Sequence, residues 1–390
     1  MGDALRVLQV SSGLDPQTGG TASAAVNVAL AARRAGIAVT LAYPYAPEAA
    51  GRLASDLARL RAAGVDLHGF EFARFDRALA ARWAIAPKLN RFLRASAGDF
   101  DIVHTHSTWV GSSIAAVRAA RRAGRPMALM PHEALTRFDM ARGRNAALRI
   151  GKSMLRGWYL GRLDRIIVSS ELERLNSELE HFPGTVTIPH PVIDEALPAP
   201  EPAPPRAEGP LHLGFLGRFD RKKNLHRLVR ALAHAPGVQL SIAGGGEEPY
   251  RAEILELVAR HKLDDRVSWL GFLGGEAKQQ FFRRVDAVVM PSEFECFGMV
   301  AAEALGAGTP VILSPTVGVA DMIVDRDCGT IIPPRADALG FCFRELADRV
   351  ELARWRTNAR RVALELFSFA AHGGRLRAAY ADALAPAIAA

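Results

Sequence analysis

The segment LPAPEPAPPRAEGP, residues 197–210, divides the chain, because six of its fourteen residues are prolines. Proline has no amide hydrogen to donate, so neither a helix nor a central strand is expected to cross this stretch. We interpret 197–210 as a semi-rigid interdomain linker. A chain of 390 residues is long enough for a domain on each side of it, at roughly 150 residues per domain.

Short apolar runs alternate with helical stretches on both sides of the linker. Five predicted strands precede it: LRVLQVS (5–11), IAVTLAY (37–43), DIVHTH (101–106), PMALMP (126–131) and RIIVSS (165–170). Six predicted strands follow it: LHLGFLG (211–217), VQLSIA (238–243), RVSWLG (266–271), DAVVMP (286–291), TPVILS (309–314) and GTIIP (329–333). This alternation predicts an α/β protein with two doubly wound parallel sheets, one in residues 1–196 and one in 211–370.

The composition narrows the class of protein. Hydrophobic residues make up 49% of the chain and charged residues 23%, which excludes a disordered scaffold, a fibrous protein and a coiled coil. The three cysteines, Cys296, Cys328 and Cys342, lack CxxC spacing, so we expect neither a disulfide framework nor a zinc site. No apolar run approaches the roughly 20 residues of a membrane-spanning helix. We therefore expect a soluble, cytoplasmic protein, at most docked on the inner face of a membrane.

The positive charge is unevenly distributed. The formal net charge is +8; residues 1–200 hold 25 basic and 18 acidic residues, whereas 201–390 hold 24 and 23. The densest basic segment runs from Arg137 to Arg165. Nucleic acid, an anionic membrane surface and phosphorylated substrates all suit a basic half, and a solvated helical face explains it equally well.

A glycine-rich loop, SSGLDPQTGG (11–20), follows the first predicted strand. Gly19 and Gly20 allow close backbone approach, and Thr21 is a candidate cap for the next helix. Amide groups at such a helix start attract an anion or an ordered hydroxyl. The spacing is too long for a dinucleotide fingerprint, and a flexible turn is the alternative interpretation.

A second loop, GRFDRKKN (217–224), follows the first strand after the linker. Arg218 and Lys223 can converge on one anion, and the Arg fork with a Lys point charge suits a diphosphate. Arg221 and Lys222 are alternative donors that we expect to be solvated.

A third stretch, PSEFECFGMVAAEALGAGTPVI (291–312), holds two glutamates, Glu295 and Glu303, with seven residues between them. If a helix begins near Gly298, its free amide groups are available to phosphate or sugar oxygens. Each carboxylate can accept two hydrogen bonds from a sugar or ribose diol.

Together these last two stretches resemble the family 4 retaining glycosyltransferases of the GT-B fold, a bacterial group 1 type of enzyme. The marks of that family are a GR(x)₄K turn and an E(x)₇E motif. The resemblance implies two facing Rossmann-like domains with a cleft between them. The first would bind the acceptor and the second the nucleotide sugar, and the last helix, in FSFAAHGGRLRAAYADAL (367–384) and assigned to 371–390, would return to the first domain.

The resemblance also implies residue roles. Arg218 and Lys223 would bind the donor diphosphate, Glu303 the ribose and Glu295 the donor sugar. Further contacts to the donor or acceptor are implied for Gly298 and Met299 by their amides, Gly271 and Phe272 beside the base, Gly19 and Gly20 on the acceptor side, and His132 near the donor sugar. The sequence departs from the family at Cys296 and at Glu133, where glycine is common.

Other histidines allow several interpretations. His104 and His106 form an HxH pair at a strand end. Two interpretations remain open for this pair: it packs in the domain or lines the site, or it contacts the acceptor. No metal site is expected, because no third ligand accompanies the two histidines. His190 is expected to be structural.

We therefore expect a metal-independent, retaining hexosyltransferase that needs no cofactor. Its donor would be a nucleoside-diphosphate sugar. Its acceptor would be a glycan or a lipid-linked sugar in envelope or exopolysaccharide synthesis, presented on an anionic membrane, with no nucleic acid as partner. The alternatives are a nucleotide-sugar epimerase or sugar phosphorylase of the same fold, and a basic nucleic-acid-binding protein.

Overall fold

The computed structural model describes residues 4–73, 76–141, 146–197 and 209–385. The chain forms two compact units, one of residues 1–191 with 368–390 and one of residues 192–367. Most of the proline-rich segment, residues 198–208, lies outside the described residues.

The first unit is built on a parallel sheet of seven strands within the described residues, in the order β3-β2-β1-β4-β5-β6-β7. The strands are β1 (Arg6–Val10), β2 (Ala38–Tyr45), β3 (Asp66–Glu71), β4 (Ile102–His106), β5 (Met127–Met130), β6 (Arg165–Val168) and β7 (Thr185–Thr187). The helices that connect them are α1 (Gly20–Arg34), α2 (Ala50–Ala62), α3 (Arg77–Arg82), α4 (Pro87–Ser96), α5 (Gly111–Arg122), α6 (Arg137–Ala141), α7 (Ala146–Leu160) and α8 (Glu171–Asn176).

The second unit repeats this architecture with six parallel strands among the residues described, in the order β10-β9-β8-β11-β12-β13. The strands are β8 (Leu211–Leu216), β9 (Val238–Ala243), β10 (Val267–Gly271), β11 (Ala287–Met290), β12 (Val311–Leu313) and β13 (Gly329–Ile331). The helices are α9 (Leu225–Ala233), α10 (Glu248–Arg260), α11 (Gly275–Arg284), α12 (Met299–Gly306), α13 (Ala320–Ile323), α14 (Ala336–Glu345) and α15 (Val350–Phe367).

The last helix, α16 (Phe369–Leu384), belongs to the first unit although it follows the second in sequence. Its buried residues Leu376 and Tyr380 share an apolar cluster with α1 and α2 on one face of the first sheet. The other face is covered by α4, α5 and α7. Both faces of this sheet are thus buried, as its apolar strands require.

All eleven predicted strands are present, and two strands were missed. The missed strands, β3 and β7, form the two edges of the first sheet. Edge strands are only partly covered, and the sequence DLHGFE of β3 accordingly lacks a continuous apolar run. The predicted fold class, two Rossmann-like α/β domains, is confirmed.

The strand order also locates the expected binding edges. In each sheet, successive strands are added first on one side of the starting strand and then on its other side. This change of side occurs between β1 and β4 in the first sheet and between β8 and β11 in the second. Ligands of open α/β sheets bind at the carboxyl ends of the strands beside such a reversal. We therefore expect a ligand site at the loops after β8 and β11.

Candidate functional site

The loops that follow β8 and β11 carry the two motifs found in the sequence. Residues 217–224 leave the carboxyl end of β8, and residues 291–298 leave the carboxyl end of the neighbouring β11. The Glu293 amide donates to the Lys222 carbonyl over 2.6 Å, which joins the loops directly. The structure thus brings the two motifs together at one sheet edge.

The turn around Lys223 is held by two polar side chains. The Asp220 carboxylate accepts a hydrogen bond of 3.0 Å from the Lys222 amide. Asn224 has a left-handed backbone with φ of 54°, which asparagine tolerates better than most residues. Its side-chain amide donates to the Pro291 carbonyl over 2.8 Å. Lys223 therefore lies in a fixed turn between two anchored neighbours.

Lys223 forms an ion pair with Glu295, and both side chains are largely buried. The backbone of Glu295 is fixed as well. Its amide donates to the Thr316 carbonyl over 2.9 Å, and its carbonyl accepts from the Gly318 amide over 2.9 Å. The first glutamate of the spaced pair thus shares a site with the predicted phosphate-binding lysine.

Gly298 is the N-cap of α12, so a helix does begin next to this residue. Its φ is 98°, and a Cβ added there would lie 2.6 Å from Val317 Cγ1. Only glycine fits both conditions. No side chain caps this helix. The amides of Ala301 and Ala302 donate to the Gly298 carbonyl, so the amides of Met299 and Val300 are the ones that helix geometry leaves without an intrahelical partner, and they favour a negative charge.

Glu303, the second glutamate, lies on α12 and is paired with a residue that the sequence analysis did not select. The Nζ atom of Lys278, on α11, lies 2.8 Å from Glu303 Oε1. The two residues are 25 positions apart, and no spacing rule connects them. The contact becomes visible only when the two helices are packed.

A run of glycines after β9 was also missed, although GGG at a strand end is a usable signal. A Cβ on Gly244 would lie 1.9 Å from the Gly217 carbonyl oxygen, and one on Gly246 would lie 2.4 Å from that of Phe219. The Gly244 amide donates to the Gly271 carbonyl over 2.7 Å. The loops after β8, β9 and β10 are therefore in close backbone contact.

Gly271 is the last residue of the edge strand β10, and Phe272 follows it. Gly271 has a left-handed φ of 66°, and the Phe272 side chain is 73% exposed. An exposed aromatic ring at the carboxyl end of β10 is available for stacking with a planar group.

The remaining basic residues of the turn have different surroundings. The Arg218 side chain is 71% exposed, with the Asp220 carboxylate 3.9 Å away. Arg221 pairs with Glu253 on α10. The expectation that Lys222 is solvated is wrong, because this residue is buried. Arg218 is thus the basic residue of this turn that is most open to an incoming anion.

In the first unit, the glycine loop after β1 contains one short helical turn. The Asp15 carboxylate accepts from the Gln17 amide over 3.1 Å. Gly19, with φ of 105°, precedes α1, which begins at Gly20. Thr21 therefore lies inside the helix, and the predicted cap at that position is wrong.

Four histidines form a stack at the carboxyl edge of the first sheet. Successive ring centroids lie 4.6 Å apart for His104–His106, 5.3 Å for His106–His132 and 5.1 Å for His132–His190. His106 Nδ1 is 3.1 Å from His132 Nε2, and His104 Nδ1 is 2.6 Å from the Tyr380 hydroxyl. His132 thus belongs to a packed cluster rather than standing alone.

Burial keeps this stack neutral. It lowers the pKa of His104 to about 3 and places those of the other three histidines well below 6.5. A neutral imidazole has one donor and one acceptor nitrogen, which fits the contacts of His106 with His132 and of His104 with Tyr380. Within the described residues, no group of three or more side chains is arranged to hold a metal ion.

Glu173 supports the stack and was not recognised from the sequence. His132 and Glu133 both have left-handed backbones, with φ of 50° and 75°. The buried Glu173 carboxylate accepts from the Glu133 amide over 2.9 Å and from the Ser169 amide over 2.8 Å. Burial raises the pKa of Glu173, and these hydrogen bonds oppose that rise. The strained turn that presents His132 is therefore fixed from α8.

Comparison with known proteins identifies the family to which these features belong. The model of the glycosyl transferase 4-like domain matches residues 19–187. The model of glycosyl transferases group 1 matches residues 201–362, and the two matches together span most of the chain. The chain belongs to the group 1 glycosyltransferases. The resemblance drawn from the two motifs is confirmed.

Curated relatives of this glycosyltransferase include two with named activities. A D-inositol 3-phosphate glycosyltransferase of Mycobacteroides abscessus is 32% identical over 277 residues, covering 64% of this chain and 60% of the relative. A glycogen synthase of Mycobacterium tuberculosis is 29% identical over 212 residues, covering 52% of this chain and 50% of the relative. The chain thus spans between half and three fifths of the length of these two relatives.

Solved structures show the same fold. Anabaena Alr3699/HepE in complex with UDP and glucose superposes with a TM-score of 0.75 at 18% identity, covering 97% of this chain and 99% of that one. The glycosyltransferase therefore has the GT-B fold. No helix among the described residues is long and apolar enough to cross a membrane.

Proposed function

We propose that this protein is a retaining glycosyltransferase that moves a hexose from a nucleoside-diphosphate sugar to a hydroxyl acceptor. Family membership supports the reaction class. The observation that carries the proposal is the Lys223–Glu295 pair at the β8–β11 reversal, beside the exposed Arg218. A cation next to an acceptor of sugar hydroxyls is the chemistry that a nucleotide sugar requires.

The proposed donor site uses groups already brought to one edge of the second sheet. Arg218 and Lys223 would bind the diphosphate together with the amides of Gly298 and Met299. Glu295 would accept hydrogen bonds from the transferred sugar. Glu303 would accept them from the ribose, and Gly271 and Phe272 would contact the base.

The chemical step then needs only electrostatic help from these residues. The bond between the anomeric carbon and the diphosphate oxygen breaks, and the acceptor oxygen forms the new bond on the same face. The acceptor proton passes to an oxygen of the leaving diphosphate. Negative charge grows on that diphosphate, and preorganised cations and amides at Arg218, Lys223 and Gly298 stabilise it.

We propose that the enzyme uses neither a metal ion nor a cofactor, because these groups can offset the charge of the leaving diphosphate. EDTA treatment of the purified enzyme should leave the rate of transfer unchanged. A rate that falls with EDTA and returns with Mg²⁺ or Mn²⁺ would contradict this part of the proposal.

The acceptor would be bound by the first unit, near Gly19 and Gly20, and His132 would lie near the donor sugar. A glycan or a lipid-linked sugar used in envelope or exopolysaccharide synthesis is the proposed class. The neutral state of His132 fits contact with a sugar hydroxyl, since neutral imidazole can both donate and accept. The two family models favour this transferase over an epimerase or a phosphorylase.

Thermal-shift measurements with UDP, GDP and ADP sugars test the donor site. At a ligand concentration of about 100 times Kd, binding adds roughly 2.7 kcal/mol of stability, so one class of nucleotide should clearly raise Tm. Arg218→Ala and Glu303→Ala should abolish most of the shift. Arg221→Ala is the matched control, because its partner Glu253 lies on α10. If no nucleotide sugar shifts the unchanged protein, the donor site is wrong.

We also propose that the first unit docks on an anionic membrane. Three helices on one face of its sheet, α4, α5 and α7, hold nine basic and no acidic residues. On α7, Ile150 and Met154 lie one turn apart and are 61% and 74% exposed. Basic residues around exposed apolar ones suit an anionic bilayer surface. Arg142 and Arg144, which belong to the basic segment from Arg137 to Arg165, lie outside the described residues.

Flotation with phosphatidylglycerol and phosphatidylcholine vesicles tests this docking. Binding should require the anionic lipid and weaken at high salt, because screening shortens the reach of surface charge. Ile150→Ser with Met154→Ser should reduce it, whereas Leu175→Ser, an exposed leucine on α8, should not. Equal binding to both lipids, or no binding, would exclude the proposal.

A further inference from the structure

The contact between Lys278 and Glu303 has no role in the site as proposed so far. Lys278 Nζ lies 2.8 Å from Glu303 Oε1, and the side chains are 25% and 18% exposed. This distance is short for an ammonium and a carboxylate. Both groups are partly buried, and hydrogen bonds between charged groups are stronger there than in water. The pair therefore fixes the direction of the Glu303 carboxylate.

The packing of α11 fixes the lysine in turn. A Cβ on Gly214 of β8 would lie 2.7 Å from Phe281 Cζ, so the helix rests directly on the strand at this point. The Phe282 carbonyl accepts a hydrogen bond of 2.7 Å from the Thr309 hydroxyl, just beyond the end of α12. Phe281 and Phe282 also share a buried cluster with the apolar residues of α12. Lys278 thus projects from a helix that is held against both β8 and the segment of Glu303.

The Glu303 carboxylate can still accept hydrogen bonds from a diol. An ionised carboxylate offers about four lone-pair positions, and one ammonium contact leaves most of them available. The lysine charge also offsets the glutamate charge, which would otherwise repel a nearby diphosphate. Two neighbouring hydroxyls can then bind a carboxylate whose orientation is already set.

We infer that Lys278 is a positioning residue, which holds Glu303 in the orientation that accepts both ribose hydroxyls and makes the donor site select ribonucleotides over 2′-deoxyribonucleotides. This inference rests on the proposed role of Glu303 in the donor site. It assigns the selectivity to a residue outside both sequence motifs. The competing explanation is a lock: in the ligand-free protein Lys278 blocks the Glu303 carboxylate, and a nucleotide must displace the lysine before it can bind.

Calorimetric titration separates these two explanations. The probes are UDP, GDP and ADP, each paired with its 2′-deoxy form, and the pair that binds the unchanged protein most tightly is used throughout. Lys278→Met should bind the ribonucleotide about tenfold more weakly, the loss expected for a charge-assisted hydrogen bond. Its preference for ribose over deoxyribose should fall about fivefold, because an unanchored carboxylate gains less from the second hydroxyl.

Two further variants serve as rescue and control. Lys278→Arg keeps a charged donor to Glu303 and should retain a preference closer to that of the unchanged protein than to that of Lys278→Met. Arg283→Met removes the 2.7 Å ion pair with Glu276 on the same helix, and the Arg283 side chain is 25% exposed, like that of Lys278. It should change neither affinity nor preference.

The outcomes also separate this inference from the donor site itself. If no nucleotide binds the unchanged protein, the proposed function fails. If nucleotides bind but the ribose preference is absent, or is the same in Lys278→Met, only the inference fails. Tighter ribonucleotide binding by Lys278→Met would overturn it in favour of the lock, and a Lys278→Arg variant that matches Lys278→Met would also overturn it.

Discussion

At the scale of single residues, the backbone at Gly298 decides where the amides of α12 begin. The residue combines a left-handed φ of 98° with a side-chain neighbour, Val317 Cγ1, that leaves no space for a Cβ. Any other residue must therefore move either α12 or the loop that holds Glu295. Both changes reach the site, because Gly318 donates to the Glu295 carbonyl.

Gly298→Ala should lower the free energy of unfolding by about 1–3 kcal/mol, from backbone strain and overpacking. It should also weaken nucleotide binding, because Met299 and its amide shift. Gly274→Ala is the matched control: Gly274 precedes α11 with an extended backbone, and its Cβ would lie 3.5 Å from Phe272 Cε1, an ordinary contact. Urea denaturation and calorimetry measure the two effects. Equal losses in both variants would contradict this account of Gly298.

Among the helices, α16 packs closely on α1, and this contact holds the end of the chain in the first unit. A Cβ on Gly373 would lie 2.5 Å from the Ala31 carbonyl oxygen and 2.9 Å from Ala35 Cβ, whereas one on the next residue, Gly374, would meet nothing within 4 Å. Two adjacent glycines of one helix therefore have opposite surroundings.

Alanine substitution should separate the two positions. Gly374→Ala should stabilise the protein by up to about 1 kcal/mol, since alanine favours the helix. Gly373→Ala should destabilise it by about 1–3 kcal/mol, because the added methyl forces the helices apart. Denaturant midpoints of both variants provide the measurement. A stabilised Gly373→Ala variant would show that α16 does not pack as described.

The elements also show which parts of the fold were predictable. Central strands such as β5 and β11 are covered on both faces, so their sequences are continuously apolar and easy to recognise. The edge strand β3 is half exposed, and its sequence DLHGFE resembles a loop. The helix starting at Gly298 was predictable because glycine, acidic residues and an apolar run occur together in one short stretch.

Within the site, residues close in sequence were recognised and residues joined only by folding were not. Lys223 and Glu295 belong to motifs with fixed spacing. Lys278 reaches Glu303 only through the packing of two helices, and Glu173 reaches the backbone of Glu133 from α8. Single-chain periodicity carries no information about such contacts.

At the scale of the whole molecule, the two units differ in their buried histidines. The first unit holds His104, His106, His132 and His190 in the stack, and His372, whose Nδ1 donates to the Pro189 carbonyl. Burial lowers the pKa of all five, to about 4 for His372 and about 3 for His104. In the second unit, His226 on α9 is partly buried, and desolvation lowers its pKa as well.

Acid should therefore destabilise the first unit before the second. Unfolded histidines take up protons below pH 6.5, whereas the folded ones stay neutral until a much lower pH. Each contributes stability that is present above pH 6.5 and is lost as the pH falls, by about 1.4 kcal/mol per pH unit. Glu173, with its raised pKa, has the opposite effect but is one group against five.

Hydrogen exchange followed by mass spectrometry between pH 7 and 5, corrected for intrinsic rates, measures this difference. Peptides from β4, β5 and α16 should lose protection first, while those of β8 and β11 serve as the internal control. Simultaneous loss in both units, or earlier loss in the second, would contradict the histidine account.

Proton NMR of the reaction mixture shows whether the sugar is transferred with retention of configuration. The donor class identified by thermal shift is incubated with short alkyl glycosides as hydroxyl acceptors, and the anomeric signals are followed with time. We expect a new glycoside with the anomeric configuration of the donor, released together with the nucleoside diphosphate and strongly reduced in Arg218→Ala. An inverted glycoside, a sugar 1-phosphate or an epimerised nucleotide sugar would contradict it.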